Sequence, residues 1–113
     1  MNEAGTVPLV SVVTATYNRK ETLAVTLQRL AEQTFSPDLY EVIVVDDGST
    51  DGTEESIAQL RPELPCAFRY LRQSPNQGPG AANNRGAREA RADIILFLAD
   101  DMHATPPVVA SHY

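Results

Sequence analysis

A chain of 113 residues has room for one small domain and not two, since independent domains usually run to about 100–150 residues. Its 42% hydrophobic and 21% charged residues place it among globular chains, away from the compositions that stay disordered. Fifteen acidic against nine basic residues give a net charge of −6 at pH 7, a field that repels nucleic acid and anionic membrane surfaces, so no nucleic-acid partner is expected.

Residues 1–6 carry neither the basic start nor the apolar centre of a secretion signal. The longest uninterrupted apolar run, residues 94–99, is far short of the roughly 20 that span a bilayer. A cytoplasmic location is expected, with peripheral membrane attachment left open for a longer parent protein. Residues 7–14, rich in β-branched side chains with Pro8 near the start, predict a strand. Leu23, Leu27, Leu30 and Ala31 then recur at helical spacing. Asn18 followed three residues later by Glu21 reads as a capping box that starts this helix, and Pro37 lies beyond its end.

Within residues 41–45, Val42-Ile43-Val44-Val45 is the continuous apolar run of a strand covered on both faces, which implies helices above and below a parallel sheet. Asp51 with Glu54 marks the next helix start, Ile57 and Leu60 give that helix a buried side, and Arg61-Pro62 ends it. The single cysteine, Cys66, excludes an internal disulfide and is read as a small apolar filler. Residues 68–71 predict a short strand near a sheet edge. Residues 73–80, with Pro75, Gly78, Pro79 and Gly80, predict a loop, and Ala81, Ala82, Ala87 and Ala90 predict a closely packing helix. Residues 93–98 predict a fourth strand buried on both faces, and Thr105-Pro106-Pro107 the start of another helix.

The order β-α-β-α-β-α-β predicts an α/β fold, Rossmann-like, with three α/β/α layers around a mostly parallel sheet. Ligands of such sheets bind outside the carboxyl ends of the strands, and two acidic pairs stand there. Adjacent aspartates after an apolar strand repel each other and are partly desolvated unless a cation or hydrogen bonds compensate. No lysine or arginine follows Asp100-Asp101 within eight residues, so a divalent cation, Mn²⁺ or Mg²⁺, is one reading and a turn or helix cap the other. Alternation of side chains in extended backbone would turn one carboxylate to the metal and its neighbour to another part of the ligand. Turn chemistry ahead of a helix competes in the same way at Asp46-Asp47-Gly48-Ser49. Gly78-Pro79-Gly80 lacks the third glycine of a dinucleotide fingerprint, and His103 is read as a solvated loop histidine.

Four stretches taken together, VSVVTATYNR over residues 10–19, EVIVVDDGSTD over 41–51, NQGP at 76–79 with NRG at 84–86, and IILFLADD over 94–101, resemble the inverting glycosyltransferases of family 2. The resemblance implies the GT-A fold, with residues 1–113 as its N-terminal nucleotide-sugar-binding portion and the acceptor-binding part missing. It implies a nucleoside-diphosphate-sugar donor, UDP-type favoured, and an acceptor hydroxyl on a saccharide, lipid or protein. By the same resemblance Ala15, Thr16 and Tyr17 lie against the base, with Tyr17 stacking on it, and Asp46 and Asp47 belong to the nucleotide site. Asp47 accepts a hydrogen bond from a uracil-type base, Asp100 contacts ribose, and Asp101 holds the metal that bridges the diphosphate.

The general base is expected beyond Tyr113, so the isolated chain should bind donor weakly and transfer little. Three positions depart from the family pattern. Ala15 replaces a frequent proline, Ala99 a frequent acidic residue, and Asn83 an arginine whose diphosphate role could shift to Arg85. A nucleotidyltransferase would need a glycine-rich loop after the first strand, and Thr14 to Asn18 holds no glycine. A phosphoacceptor signalling domain would need a lysine late in the chain, whose only lysine is Lys20. A non-catalytic nucleotide-binding module remains an alternative.

Overall fold

The computed structural model describes residues 8–31, 39–64, 66–73 and 77–98. β-Branched residues dominate two strands of seven residues, β1 (Val10–Thr16) and β2 (Tyr40–Asp46), which pair in parallel from Val10 opposite Tyr40 to Thr16 opposite Asp46. β1 thus runs two residues past the Thr14 end expected from sequence, because β2 also offers partners to Ala15 and Thr16. Val7 lies outside the described residues. β3 (Ala67–Arg72) adds in parallel to the outer side of β2, and β4 (Ile94–Phe97) to the far side of β1, giving the order β3-β2-β1-β4.

Parallel neighbours need crossovers, which α1 (Lys20–Ala31), α2 (Thr53–Leu60) and α3 (Pro79–Glu89) supply. Leu23, Leu27 and Leu30 of α1 and Ile57 of α2 meet Val10, Val12, Val42 and Val44 in one core, with Cys66 packed at its margin as the filler expected. Ala82 of α3 meets Val13, Ile43 and Val45 in the other. The outcome is the expected layered α/β arrangement, with β2 buried along its whole length and β3 at an edge.

α2 ends at Leu60, where Arg61-Pro62 was expected to end it, and a 3-10 turn over Arg61–Glu63 follows with Pro62 inside it. Two further features differ from expectation, the start of α3 and the cover of β4. α3 begins at Pro79, earlier than its alanines, since proline is preset for a first helical turn and Gly78 supplies the positive φ before it. β4 was expected to be covered on both faces, yet Ile94 is 38% and Phe97 53% exposed. Among the described residues β4 pairs with β1 alone.

At the amino ends of the strands a buried charge is fully partnered. Glu41 accepts from Ser11 Oγ at 2.6 Å, Arg91 N at 2.8 Å and Arg91 Nε at 3.1 Å, while Ala92 N donates to Ser11 Oγ at 3.1 Å. This network ties the α3–β4 connection to β1 and β2, at the opposite end of β2 from Asp46 and Asp47.

Candidate functional site

Strand order reverses between β1 and β4, so the carboxyl ends of β1, β2 and β4 border the crevice where such sheets bind ligands. Asp46 ends β2 there and is fully buried. Its Oδ1 accepts from Ser49 N at 2.8 Å, which is turn chemistry, and its Oδ2 accepts from the Tyr70 hydroxyl and lies 3.5 Å from Arg72 Nη1. Burial first, then this bond to Asp46, pushes the Tyr70 hydroxyl above the usual tyrosine range. Both Asp46 oxygens are therefore engaged by the protein itself.

Asp47 is held differently. It is 3% exposed, its backbone N donates to Thr16 O at 2.9 Å, and its carboxylate reaches across to the segment between β3 and α3. Oδ1 accepts from Gln73 Nε2 at 3.0 Å and Gln77 N at 2.7 Å, and Oδ2 accepts from Gly78 N at 2.7 Å. Burial acts to raise the Asp47 carboxyl, but these donors outweigh it and hold it below the ordinary value of 3.8. The carboxylate is ionised at neutral pH and anchors the approach to α3.

The β1–α1 and β2–α2 loops are latched together. Asn18 adopts φ 53, its N donates to Ser49 Oγ at 2.8 Å, and its Oδ1 accepts from Thr50 N at 2.8 Å. Asn18 is consequently not the N-cap of α1, as its spacing to Glu21 predicted. Asp51 takes that task from across the latch, with Oδ2 accepting Lys20 N at 3.1 Å while Oδ1 accepts both N and Oγ1 of Thr53 at the start of α2. Burial would raise the Asp51 carboxyl, and the bonds from Thr53 and Lys20 bring it below the ordinary range. One side chain thus caps two helices.

Of the stretch Ala15-Thr16-Tyr17, which follows the strand expected over residues 7–14, Ala15 and Thr16 belong to β1, and only Tyr17 leaves the strand, 46% exposed. Arg85 Nη1 donates to the carbonyl of Arg72 at 2.9 Å, which fixes the guanidinium at the end of β3. Asp100, Asp101, Ala99 and His103 lie outside the described residues. Among the described residues no three His, Cys, Asp or Glu side chains gather as a metal site. A cleft of about 750 Å³ opens beside the latch, lined by Lys20, Arg72, Ser49, Glu54 and Glu55 among others. Its lining carries both signs of charge and does not include Asp46, Asp47 or Tyr17.

A family model described as glycosyl transferase family 2 matches residues 11–112. The chain belongs to that family. It is 40% identical over 105 residues to a validoxylamine A glucosyltransferase of Streptomyces hygroscopicus subsp. limoneus, an alignment covering 93% of this chain and 23% of that protein. Staphylococcus aureus TarS 1-349, solved in complex with UDP-GlcNAc, superposes with a TM-score of 0.83 at 30% identity over 91% of this chain and 29% of that one. The mannosyltransferase PcManGT of Pyrobaculum calidifontis, solved with GDP-Man and Mn²⁺, gives a TM-score of 0.75 at 30% identity, covering 89% of this chain and 30% of that one. The chain spans about a quarter of the length of the curated relatives it matches.

Sequence reasoning singled out the acidic residues but not what holds them. Gln73 lies in none of the matched stretches, and although Gln77, Gly78, Asn18 and Ser49 do, their sequence does not say which atoms they bond. The one available signal is positional: Gln73 is the first residue after β3, as Asp47 is after β2, and adjacent parallel strands bring such residues to the same rim.

Proposed function

We propose that this chain is the N-terminal donor-binding portion of a cytoplasmic glycosyltransferase that moves a sugar from a nucleoside diphosphate, UDP-type favoured, to an acceptor hydroxyl with inversion. The observation that carries this reading is the likeness of the sheet over 91% of the chain to a protein solved with UDP-GlcNAc. The geometry agrees with it: Tyr17 stands exposed beyond β1 as a stacking face, and Asp47 lies at the carboxyl end of the neighbouring strand. Asp46 takes part through the turn it holds rather than through a free carboxylate.

Asp100 and Asp101 complete the site in this reading, with Asp101 holding Mn²⁺ or Mg²⁺. Such a cation would supply a Lewis acid for the charge on the departing diphosphate. The support is a relative solved with GDP-Man and Mn²⁺. The acceptor site and the general base that takes the acceptor's proton belong, under the same proposal, to a longer chain beyond Tyr113. Among the described residues no helix is long and apolar enough to cross a membrane.

The test is a thermal-shift series with UDP, GDP, TDP and CDP, each with and without Mn²⁺. A nucleotide at about 100 times its dissociation constant should add about 2.7 kcal/mol of stability, and the gain should need metal. If no nucleotide moves the melting temperature under either condition, the donor-site reading is wrong.

A further inference from the structure

The segment between β3 and α3 does more at Asp47 than a turn requires. A carboxylate has about four acceptor positions, and three are filled, two on Oδ1 by Gln73 Nε2 and Gln77 N and one on Oδ2 by Gly78 N. One position on Oδ2 is left. Because an ionised carboxylate donates no hydrogen bond, that position takes an N–H or O–H donor or a cation, and a base edge supplies the N–H. Two of the three existing donors are backbone amides, indifferent to side-chain identity. Gln73 is the one side chain whose replacement changes how Asp47 is held. It is 5% exposed, and its own N donates to Asp46 O at 2.7 Å, so the amide is rooted at both ends.

We propose that Gln73 is a positioning residue for recognition of the donor's base, pinning Asp47 Oδ1 so that the remaining acceptor on Oδ2 meets an N–H on the base edge. This assignment rests on the donor-site reading above. It commits the site to bases whose edge ring nitrogen carries hydrogen, namely uracil, thymine or guanine. Cytosine presents an unprotonated nitrogen at the matching place and would set lone pair against lone pair.

The experiment is calorimetric titration of the 113-residue chain with UDP, GDP and CDP in Mn²⁺, for wild type, Gln73→Met and Gln73→Glu, across a pH series. Gln73→Met keeps the length and removes the donor, and Asp47 retains both backbone amides, so the fold should persist, as circular dichroism melting would check. Affinity for UDP should fall about tenfold while that for CDP changes little, so their ratio narrows.

Gln73→Glu sets a second carboxyl against Oδ1. UDP binding should drop further at neutral pH and recover on acidification, when the introduced carboxyl is protonated and donates to Asp47. Wild type should show no such recovery. A residue that only braced the loop would weaken all three nucleotides together and give no recovery, and that outcome overturns the proposal, as do unchanged affinities in both variants. If Gln73→Glu does not fold, the UDP to CDP ratio of Gln73→Met decides. A wild-type chain that binds none of the three nucleotides removes the donor-site reading itself, and this assignment with it.

Discussion

Single side chains in this protein act mostly through what they hold. Asn18 and Glu21 have the spacing of a capping box, yet Asn18 turns into the left-handed region to exchange hydrogen bonds with Ser49 and Thr50. Asp51, 31 residues from Lys20 in sequence, caps α1 instead. A local rule lost there to a long-range partner that only the fold provides. Thr14 is the contrary case, a fully buried side chain whose Oγ1 has no hydrogen-bond partner among the described residues. An unsatisfied buried hydroxyl costs about 1–3 kcal/mol. Thr14→Val, the isosteric change without the hydroxyl, should therefore stabilise the chain by about 1 kcal/mol and raise Tm by about 4 °C. A lower Tm for the variant would mean that Thr14 has a partner or a task of its own.

At the scale of elements, the seating of α3 decides how the rim is built. A Cβ at Gly86 would stand 2.3 Å from Val13 Cγ1, so this helix reaches β1 only because the residue is glycine. Gly86→Ala gains helix propensity of about 1 kcal/mol and meets an overpacking cost of about 1–3 kcal/mol. Net destabilisation of about 1 kcal/mol is expected by urea denaturation, together with weaker nucleotide binding. The second effect follows because α3 carries Gly78 and Gln77 at its start, and those amides would draw away from Asp47. Val13→Ala in the same chain should restore part of both losses, and strict additivity of the two substitutions would refute the steric account. The alanines that predicted α3 said that it packs closely; they did not say that a glycine makes the contact.

Acid should loosen the whole molecule through a known pair of groups. The Asp47 and Asp51 carboxyls lie below the ordinary 3.8 when folded and return toward it on unfolding. Between those two values the unfolded chain binds more protons, so stability falls as pH falls. Their contribution should be complete above about pH 5 and be lost progressively below about pH 4. Urea midpoints measured from pH 6 to pH 3 should drop steeply for wild type and less steeply for Asp51→Asn, which has no such proton to take up. Equal slopes would assign the acid sensitivity to general charge repulsion.

By itself the sequence determined the layer architecture, because continuous apolar runs at residues 42–45 and helical spacing from Leu23 to Leu30 leave few other ways to bury the same surface. The strand-end positions of Asp46 and Asp47 were legible for the same reason, since the apolar run marks where each strand must stop. Only the tertiary structure decided which oxygen accepts from which donor, that Asp46 faces Tyr70 and Arg72, and that Asp47 faces Gln73, Gln77 and Gly78. The order of strands and helices follows from local patterning, which a short window of sequence contains. Hydrogen-bond partners here lie about 30 residues apart and meet only after parallel pairing has brought the strand ends to one rim.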